Sequence, residues 1–98
     1  MSGMVESFKR DLAGVNWREL KIHLQRDAII VISAEIDLLE AAVAVAEDDK
    51  NQVEAWIDVG HLGKPTEKQL ESWEQEGDKP FQMLIVQPFI LIQEIVHA

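Results

Sequence analysis

Residues 37–59, DLLEAAVAVAEDDKNQVEAWIDV, form the longest helix-like run in the chain. Leu38, Ala42, Val45, Val53 and Trp56 fall along one edge of a helix, and Leu39, Val43, Ala46, Val53 and Ile57 along the next, a stripe broad enough to wall a core. Glu40, Glu47, Asn51, Glu54 and Asp58 remain on the opposite face, open to solvent or to a partner. At about 1.5 Å per residue this long central helix would reach about 34 Å, the width of a small domain. Its weak point is Asp48-Asp49-Lys50, where side chains that compete with the backbone for hydrogen bonds interrupt the apolar stripe. A bend or break is expected there.

On either side of this run the period changes. Residues 4–13 place Met4, Val5, Phe8 and Leu12 on one side of a short helix that stops near Gly14. Asn16 with Glu19 has the form of a capping box opening a second helix to about Gln25, with Trp17, Leu20, Ile22 and Leu24 as its apolar residues and a turn at Arg26-Asp27. The run AIIVIS at 28–33 is β-branched and apolar on both faces, as in a strand buried between layers, and it predicts a central strand. Asp37 and Glu40 cap the long helix, and Gly60 occupies the place of a left-handed C-terminal cap. Residues 61–64 make a short edge strand or connector.

Thr66 and Gln69 repeat the capping pattern for a mostly exposed helix to about Glu76, whose apolar residues are chiefly Leu70 and Trp73. FQMLIV at 81–86 is another strand. Pro88 cannot donate to a ladder, so 89–92 either continue as strand beyond an edge bulge or open a final helix; both assignments of 89–96 stay open. The pattern predicts an α+β fold in one domain over residues 1–98: helices packed on a small three- or four-stranded sheet, a long central helix, and residues 1–15 as a peripheral helix.

Composition narrows the function classes. Ninety-eight residues support one modest core, with little stability to spare for a deep internal active site. Eighteen acidic against nine basic residues leave a formal charge of -9, which disfavours nucleic acid and anionic membrane surfaces as partners. The absence of cysteine removes disulfides, thiolate metal sites and a cysteine nucleophile. The N-terminus lacks an apolar core for a secretion signal, and the apolar C-terminal run is interrupted by glutamines, Pro88 and Glu94, so a soluble cytoplasmic protein is expected.

Among the carboxylates, Glu40 and Glu47 stand about 10 Å apart along a helix, too far to share one ion unaided. Glu47, Asp48 and Asn51 gathered with His61 by folding would make an oxygen-rich set with one imidazole, suited to a hard or intermediate divalent ion. A solvated or partner-facing acidic stripe accounts for the same residues more simply. His61 follows a helix end, where a protonated imidazole is favoured, yet it has no evident nucleophile beside it; His23 and His97 carry weaker signals. Ser33 lacks the glycine-flanked elbow of a nucleophilic serine, and GKPT is not a phosphate loop. No catalytic residue and no cofactor is implied.

Of three tryptophans, Trp56 lies on the apolar stripe and belongs to the core. Trp17 and Trp73 are core plugs or exposed anchors, with structural use the leading assignment because a short helix has little else with which to dock.

Trp17, the AIIVIS strand, Asp37-Leu38, Ala46-Glu47-Asp48, Val53-x-x-Trp56, Gly60, Lys64-Pro65-Thr66 and the ending apolar-Gln-Pro-Phe-apolar together resemble a family of small uncharacterised proteins of proteobacteria and cyanobacteria. The resemblance runs from Trp17 to Glu94, leaves the first fifteen residues outside, implies a bacterial cytosolic setting and carries over no site. Two functions follow from the residues. The first is a non-enzymatic interaction or scaffold module, self-associating or bound to a protein partner, with Trp17, Trp73, Glu40 and Glu54 as contact residues. The second is a small-ligand or divalent-metal-dependent protein built on the acidic helix face and His61.

Overall fold

The computed structural model describes residues 2–24, 28–87 and 89–95. The turn expected at Arg26-Asp27, Pro88 and His97 lie outside them, as do the side chains of Met4, Val5, His23 and Leu24. In chain order the elements are α1 (Ser2–Asp11), β1 (Ala13–Asn16), α2 (Trp17–Leu24), β2 (Ile29–Ile32), α3 (Leu38–Ala46), α4 (Lys50–Asp58), β3 (Leu62–Gly63), α5 (Glu67–Gln75), β4 (Pro80–Val86) and β5 (Phe89–Glu94).

The described strands form one five-stranded sheet in the order β1-β4-β5-β2-β3, larger than the three or four strands expected. β1 supplies the additional strand. It is short, half-buried and contains Gly14, and it pairs antiparallel with β4 from Ala13 opposite Met83 to Asn16 opposite Pro80. β2 is interior, flanked by β5 and β3, although the middle place in the sheet belongs to β5. The segment after β4 does not continue the same strand. The chain reverses, so that Val86 faces Phe89 and Leu84 faces Leu91 in an antiparallel pair, and β5 then runs parallel to β2 with Ile30 beside Leu91.

Alternation along the strands builds a core on each face of the sheet. Leu84, Val86, Leu91 and Ile32 point to one side, where they meet Leu38, Ala41 and Ala42 of α3, with Phe8 of α1 and Val53 and Trp56 of α4 packed against them. Phe81, Ile29, Ile90 and Ile92 point to the other, where Trp17 and Leu20 of α2 and Trp73 of α5 cover them. There the rings of Trp17 and Trp73 stand 4.9 Å apart, and Phe81 meets Trp73 edge-on at 5.0 Å. Each such fully buried side chain contributes about 1.5–3 kcal/mol. Trp17 and Trp73 are each only 1% exposed, so they act as core plugs, the leading assignment, and are not placed as surface contact residues: with Leu20 they close this face of the sheet.

The long central helix is two helices. The Asp37 side chain caps α3 by accepting from the Leu39 amide, without the reciprocal bond expected from Glu40. At the far end Asp48 turns left-handed (φ 56°), so that its amide donates to the Val45 carbonyl at 3.1 Å and the Asp49 amide to the Ala44 carbonyl at 2.9 Å. The Asp49 side chain then accepts from the Gln52 amide and starts α4. The same paired closure ends α4, where left-handed Gly60 donates to Ile57 and His61 to Trp56. A break at Asp48-Asp49 is what the competing aspartates predict; the consequence is that only α3 carries fully buried residues, while no α4 residue is fully buried and Trp56 reaches the core only from its rim.

The other caps are as the sequence spacing predicts. Asn16 and Glu19 exchange side-chain to backbone bonds, and so do Thr66 and Gln69. No described helix is long and apolar enough to cross a membrane.

Candidate functional site

Splitting the helix also splits the acidic stripe and the ligand set drawn from it. Glu47 and Asp48 stand at the start of α4 and His61 beyond its end, separated by a nine-residue helix of about 13 Å. Asn51 is exposed on the first turn of α4. His61 turns instead to Glu35, Nδ1 lying 3.6 Å from a carboxylate oxygen, and its carbonyl accepts from the Ser33 amide. The Ser33 hydroxyl accepts from the Glu35 amide and so shapes the turn. Among the described residues no group of three or more His, Asp or Glu side chains is arranged to hold a metal ion.

What the fold does bring together lies on either side of the α3–α4 junction. Asp37, Glu40, Glu47 and Asp49 line a hollow with Lys9, Leu39, Val43 and the indole of Trp56. Two of these carboxylates, those of Asp37 and Asp49, are occupied as helix caps. Glu54 and Asp58 are outside it.

The second concavity is a groove of about 320 Å³ beside α4. Ile30 of β2, Val45 of α3, Val53 and Ile57 of α4, Leu62 of β3 and Phe89 of β5 line it, and Asp48, Asp49, Lys50 and Glu54 stand along its rim. Its origin is local. β4 and β5 put Val86 and Phe89 on the face that α3 covers, but the left-handed turn at Asp48 redirects the chain, and α4 does not close over the strand ends. Ile57 remains 50% exposed and Phe89 38%. Asp49 belongs to the walls of both hollows, so the groove is acidic on the α3–α4 side.

Periodicity alone does not locate this groove, because Ile30, Leu62 and Phe89 come from three strands whose order no local pattern specifies. The one available signal was the interruption at Asp48-Asp49, which uncovers Val53 and Ile57.

PA1075 from Pseudomonas aeruginosa, whose solution structure was determined by NMR, is similar to this chain with a TM-score of 0.81 and 29% sequence identity, over 99% of this chain and 89% of that one. No curated protein matches. The family match begins at residue 4, so β1 and all of α1 from residue 4 fall inside the shared region, not outside it as the resemblance from Trp17 to Glu94 had implied. With residues 4–94 matched, the chain belongs to the family described as Protein of unknown function (DUF2288).

Proposed function

We propose that this protein is a non-enzymatic interaction module of the cytoplasm that works by docking another polypeptide. The observation that carries this reading is the apolar groove beside α4, with Ile57 and Phe89 half open to solvent next to a carboxylate-bearing rim. A concave apolar strip with charges at its border suits protein recognition. The cysteine-free, strongly acidic composition supports a cytoplasmic setting. Self-association is one form of this reading and a heterologous partner the other.

Native mass spectrometry of the gently purified full chain tests it. A dimer mass, or a complex with a second polypeptide, is the expected result. A bare monomer at all accessible concentrations rules out self-association, and one that also takes up none of the helical peptides described below overturns the module. A retained metal or small molecule would favour the ligand-dependent alternative, for which the separation of Glu47 and Asp48 from His61 offers no geometric support.

A further inference from the structure

Building on the interaction-module reading, we infer that the groove beside α4 takes a basic amphipathic helix from a different protein. The apolar floor of Ile30, Val45, Val53, Ile57, Leu62 and Phe89 holds about 320 Å³, near the lower limit of about 300 Å³ for small-molecule pockets, and is open along one side. Such a trench fits a few side chains projecting from a regular element better than it encloses a free ligand. Its length is set by α4, about 13 Å, which corresponds to a little over two turns of a second helix presenting residues at i, i+3, i+4 and i+7.

Charge selects the occupant. Asp48, Asp49 and Glu54 stand on the rim against the single cation Lys50, and the adjoining hollow adds Asp37, Glu40 and Glu47 against Lys9. A helix that brings lysine or arginine beside its apolar face gains attraction along the α3–α4 border. A second copy of this chain, at a formal charge of -9, would bring carboxylates toward carboxylates. An anionic lipid or fatty acid is opposed by the same border.

The probes are three labelled 18-residue helical peptides added to the full chain. One has a leucine face flanked by lysines, one the same face flanked by glutamates, and one the lysines with serine in place of leucine. Binding is read by anisotropy and by amide chemical-shift changes. The leucine–lysine peptide is expected to bind, to weaken as salt rises, and to shift amides at Val45, Val53, Ile57 and Leu62. Ile57→Ser and Glu54→Lys, both at exposed positions, are each expected to weaken it about tenfold. Equal binding of the leucine–glutamate or serine–lysine peptide, shifts confined to another face, or unchanged affinity in Ile57→Ser overturns the inference. A native dimer that Ile57→Ser converts to monomer also overturns it, because a second copy then fills the groove, while the module reading survives. A bare monomer that binds none of the three peptides overturns both.

Discussion

The indole Nε1 of Trp17 donates to Oε1 of Glu74 at 2.9 Å, and Lys21 Nζ reaches the same oxygen at 3.0 Å, so that a single carboxylate ties α2 to α5 at the edge of the aromatic core. The Trp17 hydrogen bond, followed by that from Lys21, holds the Glu74 carboxyl below its ordinary value of 4.5. The unfolded chain therefore takes up this proton at a higher pH than the folded chain does. Stability from the contact is present above the ordinary value and is lost as the pH falls through the lowered one. Urea midpoints followed from about pH 6 to about pH 3 are expected to drop further for the wild type than for Glu74→Gln. Parallel pH profiles for the two would show that the carboxylate contributes nothing.

Asp48 adopts a conformation for which it is poorly suited. A side chain in the left-handed region costs about 1–2 kcal/mol relative to glycine, partly relieved for aspartate. Asp48→Gly is expected to raise stability by up to about 1 kcal/mol, and Gly60→Ala, at φ 81°, to lower it by about 1 kcal/mol. A Cβ at Gly60 would meet nothing within 4 Å, so backbone conformation alone accounts for the second effect. Thermal denaturation reads both, at about 4–8 °C per kcal/mol for a domain of this size.

Gln93 closes the loop that follows β2. Its Nε2 donates to the Ser33 and Ile36 carbonyls at 2.8 and 2.7 Å from a half-buried position. Gln93→Leu leaves both carbonyls without that donor and is expected to cost about 1–3 kcal/mol. Amide hydrogen exchange should accelerate first around residues 33–37, ahead of the sheet; uniform acceleration would mean that the contact is not local.

Trp73 fills the middle of the second core. Trp73→Ala is expected to cost about 3–5 kcal/mol, a large part of the stability of a domain this small. Ile22 was expected to supply apolar surface to α2 yet is 73% exposed, so Ile22→Ser should change stability by no more than about 0.5 kcal/mol. Denaturant unfolding followed by circular dichroism distinguishes the two.

Local chemistry explains what was legible in the sequence. Asn16 with Glu19, Thr66 with Gln69, Asp37 and Gly60 mark helix ends because their bonds reach only a few residues, while a β-branched run marked β2 and an apolar run marked β4. Alanine was the first source of error. Ala41 and Ala44 are buried while Ala46 is exposed, and a side chain that small barely tilts the apolar pattern of a helix. β1 was missed because four residues including Gly14 become a strand only through pairing with β4. The groove depends on strand order, a long-range property, and the proposed ligand set is not brought together because α4 stands between Glu47 and Asp48 on one side and His61 on the other.

The placement of β5 bears on how the chain comes off the ribosome. It is the last described strand to be synthesised, yet it sits between β4 and β2, with Ile90 joining Ile29 across about sixty intervening residues. Until residues 89–94 emerge, β2 and β4 are two apolar edges with no neighbour between them, and neither core has its floor. The apolar edge of β2 thus waits longest for its neighbour, because β4 is made only just before β5, and the sheet closes by inserting β5 between two strands made earlier.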